Sequence, residues 1–558
     1  MRFSIAFFLL TIISCSPAVP PSGTAPVVMP DQATLFIGGL VVAGPAQTPE
    51  HGFGVVVQDG RIFEVGPADF LRTRFPSAKV VDAPGATILP GLVDAHGHLY
   101  GLGLALDIVD LVDTTSFDEV VERVRSRAAS TPPGEWIIGR GWDQNDWDAQ
   151  EFPTSELLDR IVPAHPVMLR RIDGHALIAN RAAMRAAGVT AASQEPSGGR
   201  IVRDARGEPT GVFIDAAMEL VERSIPPVTR DQRKSRVLAA ARAIASAGLT
   251  GMHDAGIDAE TIAVVKELID EGQLPIRVYA MLSDNASLLD TWFASGPLVD
   301  YGERLTIRSV KLYADGALGS RGAALLAPYD DDPHNHGLTL ASPAHIENVA
   351  RRGRTAGFQV NTHAIGDAAV RSVIEAYERT DVTPTDRFRI EHLQVIAPDD
   401  VPRLVEQGTI ASVQPTHATS DMYWAEQRLG PERILGAYAW RTLVNAGVRL
   451  ALGSDFPVEQ VNPFHGISAA VTRQDRKGWP PGGWYPEERL SLREAIRGFT
   501  LDAAFAAFGE QSRGTIEPGK IADFTIVEGD LFAMPSSELD DARVLYTVVG
   551  GEIVHQVK

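Results

Sequence analysis

Eight short apolar runs, each with the length and composition of a buried strand, recur between residues 91 and 455. Helical patterns separate the last seven runs; in one of them Thr229 and Gln232 form a capping box at the start, and Gly248 follows the end. Eight buried parallel strands with intervening helices describe an α/β protein with a (β/α)8, TIM-like barrel. The runs occupy 91–96, 249–254, 276–282, 308–314, 358–364, 387–393, 410–415 and 449–455.

The first connection of this barrel is too long for a single helix. Residues 113–230 contain a capped helix at 116–131 and the strand-like runs EWIIGRGW and PVMLRRIDGH. We therefore predict a barrel over 91–512, with 113–230 as an insertion on its rim after the first strand.

Strand-like segments also lie at both ends of the chain. Asp59-Gly60 and Gly550-Gly551 mark tight turns between β-rich runs, and neither end is long enough to bury a sheet face alone. The sequence therefore predicts one small composite β-sandwich domain assembled from 31–90 and 513–558.

The N-terminus has the pattern of an export signal. Residues 1–15 carry one arginine, an apolar run too short to span a bilayer, and then Cys15, which is the only cysteine of the chain. The segment Ile12-Ile13-Ser14-Cys15 resembles the lipobox of bacterial lipoproteins, and 16–30 reads as a flexible tether. We expect an exported lipoprotein anchored in a membrane and facing the periplasm; the alternative is a plain secretory signal with an incidental cysteine.

Charge and cysteine content exclude several classes of site and partner. The chain has 51 Lys and Arg against 71 Asp and Glu, a net charge of −20 without a basic block, so we expect no nucleic-acid partner. A single cysteine cannot form an intrachain disulfide or a thiolate metal cluster. Any metal must use histidine or carboxylate ligands. The expected partner is a small-molecule substrate, the only membrane contact is the lipid anchor, and a homo-oligomer is left open.

Histidine and aspartate residues cluster at the predicted ends of the barrel strands, where barrel chemistry is placed. The first strand ends in His96-Gly97-His98, and residues i and i+2 of a strand point to the same side. Later strands end in His363, His392 and Asp455. Imidazole and carboxylate donors converging at one mouth predict a site for one or two divalent ions.

Lys311 lies among apolar residues of the fourth run, where a charged amine is costly to bury. The residues alone leave two interpretations open. One is an ion pair with Asp315 or Asp455, and the other is a function in the metal site.

Six motifs follow one another along the chain: PGLVDAHGH, VKLYADGALGSRGAAL, THAIGD, EHLQ, GSDFPV and GTIEPGKIADF. Together they resemble the amidohydrolase superfamily, in particular its amidohydrolase-3, YtcJ-like branch. The resemblance extends from residue 31 onward, and the first strand differs from the commonest form only in having Gly97 between its two histidines.

The resemblance implies a binuclear site, with two zinc ions as the expected cofactors. By this resemblance His96, His98 and Asp455 would hold one metal, and His363 and His392 the other. Lys311, carbamylated by CO2, would bridge both. Carbamylation would also remove the cost of burying a cation at this position.

Such a site implies hydrolysis of a non-peptide carbon–nitrogen bond, in an amide, N-acyl or cyclic amide substrate, by a metal-bridging hydroxide. Asp455 is the expected catalytic proton shuttle between the attacking water and the leaving nitrogen. Two alternatives stay open. One is a lactonase or other ester hydrolase on the same site, and the other is a non-catalytic binding lipoprotein.

Seven further residues are candidates for substrate contacts. For the residues in the rim insertion, the alternative is a function in a structural turn. For Arg321 the alternative is a solvated arginine without a ligand, and for His253 it is packing in the upper barrel. The candidates are Trp142, Asp143, Asp173, His175, His253, Arg321 and His417.

Overall fold

The structure is a computed structural model that describes residues 33–44, 47–148, 150–172, 174–197 and 199–557. The predicted signal peptide at 1–15 and tether at 16–30 lie outside the described residues, as does Asp173. None of the helices in the described part of the chain is long and apolar enough to cross a bilayer.

Eight parallel strands form a nearly closed barrel, which confirms the predicted fold class. The strands pair in chain order, and each predicted run overlaps one of them. At the seam between the last strand and the first, the Asp455 amide donates to the His96 carbonyl at 2.7 Å, and the Ser454 hydroxyl donates to Asp94 Oδ2 at 2.7 Å. Barrel strands 1 to 8 are Leu92–Gly97, Leu249–Ile257, Arg277–Ser283, Leu305–Tyr313, Gln359–Ala364, Arg389–His392, Ile410–Val413 and Leu450–Leu452. A short strand, Leu298–Tyr301, pairs antiparallel with barrel strand 4.

Helices connect the barrel strands, and local capping fixes their ends. The Thr229 hydroxyl accepts from the Gln232 amide at 3.2 Å while the Gln232 side chain accepts from the Thr229 amide at 3.0 Å, which is the predicted capping box. Gly408 ends another helix with φ 66°, a conformation that favours glycine. The helices are Leu99–Asp107, Arg230–Ser246, Ala259–Asp270, Ala286–Ser295, Pro343–Thr355, Asp367–Glu378, Val401–Gln407, Pro415–Asp421, Ala425–Arg433, Trp440–Ala446, Pro463–Thr472, Leu492–Gly498 and Leu501–Ala506.

Residues from both ends of the chain form one eight-stranded sheet, the terminal sheet. Its central strand, Lys79–Pro90, pairs parallel with Thr34–Val41 and antiparallel with Phe524–Val527. Because this twelve-residue strand pairs with both halves, the strands are joined into one sheet rather than into the two sheets of a sandwich. The other strands are Glu50–His51, Phe53–Gln58, Arg61–Pro67, Val544–Val549 and Glu552–Gln556, with one helix, Ala68–Arg74.

The insertion after barrel strand 1 has its own six-stranded sheet and its own apolar core. The sheet begins at Val109, slightly before the predicted boundary at 113. Its strands are Val109–Asp110, Ile137–Trp142, Val167–Arg171, Ala176–Ala179, Gly199–Arg203 and Pro209–Asp215. Its helices are Phe117–Ala128, Glu156–Ile161, Arg181–Ala186 and Glu219–Glu222.

Candidate metal centre

Strand alternation and one unusual backbone angle direct the site residues into the barrel. Alternate residues of a strand share a face. Lys311 of barrel strand 4 and His363 of barrel strand 5 therefore lie on the inward faces of their strands. Barrel strand 6 brings both Glu391 and His392 to the site, although they are consecutive. The φ of 74° at His392 breaks the alternation and allows both side chains to reach it.

The first group of candidate ligands joins the ends of barrel strands 1 and 8. Asp455 Oδ1 lies 2.9 Å from His98 Nε2 and 3.5 Å from His96 Nε2. His96 is fully buried, whereas His98 is partly exposed toward the mouth. One donor atom from each of these three residues lies within 4.8 Å of the others, which is a spacing that one ion can span.

Gly97, between the two histidines, is required by close packing. A Cβ at this position would lie 2.6 Å from the ring of Phe456, the residue that follows Asp455. The ring therefore occupies the space that a larger middle residue would need, which accounts for the one difference from the commonest motif.

The second group shares Asp455 and includes a histidine that the sequence predicts only as a substrate contact. His392, His417 and Asp455 also place donor atoms within 4.8 Å of one another. The His392 ring centroid is 4.6 Å from that of His363 and 5.9 Å from that of His417. His417 thus lies among the candidate ligands.

Lys311 lies beside the histidines in the barrel interior. It is 1% exposed, and its Nζ is 3.2 Å from His96 Nε2. Burial lowers the pKa of Lys311 to about 8, against the opposing charges of Glu391 and Asp455. The neutral amine is therefore more abundant at neutral pH than in an ordinary lysine.

Three buried atoms that could bind a metal have no hydrogen-bond partner among the described residues: His363 Nε2, His417 Nε2 and Asp455 Oδ1. His98 approaches Asp455 Oδ1 closely but without regular hydrogen-bond geometry. Unpartnered buried polar atoms are costly, and cations bound at this mouth would give them partners. Imidazole nitrogens and a carboxylate are the donors that zinc and similar divalent ions take.

The protonation states also suit metal ligands. Burial, and then the nearby charge of Lys311, holds the pKa of His96 well below its usual value and lowers that of His363 to about 3. Burial acts to raise the pKa of Asp455, but the surrounding histidines, His96 first, outweigh it and hold this pKa well below its usual range. Neutral imidazoles beside an ionised carboxylate are the forms that bind metals.

Polar residues that the sequence analysis misses hold these ligands in place. His96 Nδ1 is hydrogen-bonded to the fully buried Glu391, and His392 Nδ1 is 2.8 Å from Gln414 Oε1. Asp315 Oδ1 is 3.4 Å from His363 Nε2. Burial raises the pKa of Asp315 to about 7. Glu391 is the first residue of the EHLQ motif and Gln414 lies in the seventh apolar run, and these positions are the only sequence signals for them.

The structure corrects the expectation that Trp142 contacts a substrate directly. Trp142 is fully buried in the core of the insertion, where its indole Nε1 donates to the Leu169 carbonyl at 2.9 Å and its ring stacks on Trp147. Asp143, next to it, accepts from the Asn145 amide at 2.9 Å and from Arg171. Both residues have contacts that stabilise the insertion.

The other predicted contact residues are also placed by the structure. His175 is exposed and lies 2.9 Å from Asp215. Arg321 donates twice to Asp331, at 2.9 and 3.0 Å. His253 is buried in the barrel below the histidine cluster, where its Nδ1 is 3.0 Å from Arg389 Nη1. None of these three is among the potential metal-ligand groups of the described residues.

Comparison with protein families gives one match that covers most of the chain. Residues 79–555 match the model of the amidohydrolase family. This range contains all the candidate ligands, the barrel strands and about half of the terminal sheet.

Individual proteins and solved structures agree with that match. The putative amidohydrolase YtcJ of Bacillus subtilis is 34% identical over 90% of this chain and 96% of its own length. The N-substituted formamide deformylase of Arthrobacter pascens is 28% identical over 90% of this chain and 94% of its own. An uncharacterised metal-dependent hydrolase from Pyrococcus furiosus superimposes with a TM-score of 0.74 and 30% identity, over 89% of this chain and 99% of that structure.

Proposed function

Because the chain belongs to the amidohydrolase family and is a metal-dependent hydrolase, we propose that it hydrolyses a carbon–nitrogen bond other than a peptide bond. The proposed substrates are amides of the N-acyl, formamide or cyclic type. Similarity to an N-substituted formamide deformylase over nine-tenths of the chain supports this substrate class.

One observation carries the proposal: the buried, unpartnered atoms of His363, His417 and Asp455 converge at the mouth where barrel enzymes carry out chemistry. A purely structural cluster would pair these atoms, since leaving them unpaired destabilises the fold.

We propose that two zinc ions occupy this centre, with His96, His98 and Asp455 around one and His363 and His392 around the other. Lys311 would bridge them as a carbamate. Its lowered pKa favours this modification, since only the neutral amine reacts with CO2. Bound divalent ions of this kind supply polarisation of the substrate carbonyl and a lowered pKa for water.

The chain's own residues would orient the ligands and move the proton. Glu391 holds the His96 ring through Nδ1 and leaves Nε2 facing the centre. Asp455 Oδ2 lies 3.8 Å from His417 Nε2. We infer that Asp455 takes a proton at this oxygen during attack and returns it to the departing nitrogen.

Metal analysis followed by a substrate panel tests the function. We expect divalent metal in the purified protein, loss of turnover on chelation, and turnover of N-acyl amino acids, formamides or cyclic amides. A preference for lactones would instead identify the protein as an ester hydrolase. Protein without divalent metal, unaffected by chelators and inactive on every class, would be a binding protein.

The bridging function of Lys311 has its own test. Lys311→Ala is expected to abolish turnover, and added bicarbonate is expected not to restore it, because no amine remains to be carbamylated. Lys79→Ala, at an exposed position of the terminal sheet, is the matched control and should keep full activity. Full activity in Lys311→Ala would overturn the bridging function.

Export is a separate proposal that depends on the sequence alone. We propose that Cys15 carries the lipid anchor of an exported, membrane-attached protein. Mass spectrometry of the membrane fraction should find acylated Cys15, and Cys15→Ser should move the protein to the soluble fraction. A membrane-bound Cys15→Ser protein would contradict the anchor.

A further inference from the structure

A cavity of about 90 Å³ opens at the N-terminal mouth of the barrel, at the opposite end from the histidine cluster. Its walls come from the first residues of barrel strands 1 to 4, from the segment 504–513, and from Asp523 beside the terminal sheet. The function proposed above uses none of this surface. Since one water needs only about 10–15 Å³ of such space, the cavity has room for a small polyatomic ion.

Positive charge predominates around this cavity. Four arginines line it against two aspartates: Arg277, Arg304, Arg308, Arg513, Asp300 and Asp523. Arg277 donates twice to Asp523, at 2.8 and 2.9 Å, and Arg513 donates to Asp300 at 3.0 Å. These pairs account for both carboxylates of the lining.

The two remaining arginines of the lining are Arg304 and Arg308. Among the described residues, no carboxylate oxygen lies within the 4.0 Å of an ion pair from Arg304 or Arg308. The Arg308 guanidinium lies over the Phe508 ring at 3.8 Å, a stacking that occupies its face and leaves its edge donors available. Burial, and then the neighbouring charge of Arg277, lowers the pKa of Arg304 against the opposing charges of Asp523, Glu552 and Glu303.

His253, a candidate from the sequence, connects this cavity to the barrel interior. It lines the cavity and accepts from Arg389, whose Nη1 is 4.0 Å from Glu391 Oε1. Polar side chains therefore continue from the arginines toward the metal centre, where apolar barrel packing would otherwise be expected.

We propose that this cavity is a binding site for a small dianion of the phosphate class, held by the guanidinium groups of Arg304 and Arg308. Arginine presents paired N–H donors that match the oxygens of a phosphate, and two free guanidinium groups balance two negative charges. The site is independent of the hydrolytic reaction.

Titration calorimetry with inorganic phosphate tests the site, using the full metal-loaded chain at constant ionic strength. We expect binding by the wild type and a loss of at least about tenfold in affinity in Arg304→Gln/Arg308→Gln, because both guanidinium groups that would donate charged hydrogen bonds to the anion are lost. Arg543→Gln, which removes an exposed arginine elsewhere, is the matched control. Undetectable binding by the wild type would overturn the proposal.

Two further arms separate this site from the metal centre and from other anions. Phosphate binding should persist after removal of the metal. If binding is lost on chelation but is retained in the double variant, phosphate binds to the metal and the proposal is overturned. Succinate, which carries the same charge on two carboxylates, should bind more weakly than phosphate, and tighter succinate binding would overturn the phosphate assignment. Arg308→Lys, which keeps the charge but loses the paired donors, should fold normally and bind with intermediate affinity.

Discussion

The same eight strands form both mouths of the barrel, but the two mouths differ in whether the buried polar groups compared below have hydrogen-bond partners. At the C-terminal mouth, the described part of the chain leaves His363 Nε2, His417 Nε2 and Asp455 Oδ1 without hydrogen bonds. At the N-terminal mouth, Arg277 and Asp523 form a buried pair with two hydrogen bonds. The first arrangement needs an external cation, whereas the second joins the barrel to the terminal sheet. The comparison assigns chemistry to one end and stability to the other.

Asp455→Asn is expected to have the largest effect and to separate the two mouths most clearly. Turnover should fall by about 10²–10⁴-fold, since the variant loses a proton carrier and a charged ligand. The free energy of unfolding of the metal-free protein should change far less than turnover, because Asp455 Oδ1 has no regular hydrogen bond to lose. Steady-state kinetics and denaturant unfolding measure the two quantities; a large loss of metal-free stability would show that Asp455 is mainly structural.

Asp523→Asn should show the opposite pattern. Removing one partner of a buried pair leaves Arg277 uncompensated, so we expect a loss of about 3–5 kcal/mol in unfolding free energy with little change in kcat. Glu528→Gln, at an exposed pair with Arg543, is the control and should change stability by less than about 0.5 kcal/mol.

The same pair predicts a pH dependence. Burial acts to raise the pKa of Asp523, but the charge and hydrogen bonds of Arg277 outweigh it, so this pKa is lower in the folded state than in the unfolded chain. The pair's contribution is therefore present above the unfolded pKa of about 3.9 and is lost as pH falls through the folded pKa. In Asp523→Asn this part of the loss of stability at acid pH should be absent. The same dependence of stability on acid pH in the variant and the wild type would contradict the stabilising function of the pair.

Glu391→Gln tests whether Glu391 orients a metal ligand at the C-terminal mouth. The carboxylate orients His96, so its loss should weaken metal binding by about 10–100-fold, as competition against a chelator can measure. Glu510→Gln removes a carboxylate that pairs with Arg387, and we expect it to leave metal affinity unchanged. Equal metal affinities of the Glu391→Gln protein and the wild type would refute the orienting function.

Trp142→Phe should have the smallest effect. The variant loses the hydrogen bond to the Leu169 carbonyl and is expected to lose about 1 kcal/mol of stability without a change in KM. A raised KM at unchanged stability would restore Trp142 as a substrate contact.

Local patterns in the sequence predict the barrel and the positions of its main ligands. Strand length, helix caps and the two-residue period depend on neighbouring residues, so the eight runs and the tips at His96, His363 and Asp455 can be located without a structure. The packed core of the insertion around Trp142 cannot be predicted in this way, because an aromatic residue at the end of a strand is compatible with either packing or binding.

The sequence alone therefore determined an α/β barrel with histidines and an aspartate at one mouth, since period and composition are properties of short stretches. Only the tertiary structure decided that Glu391 would hold His96, that His417 would join the ligands, and that Arg304 and Arg308 would line a cavity without carboxylate partners. Such contacts join residues far apart in the chain and depend on barrel closure and on single backbone angles such as that of His392. No local pattern records these relations.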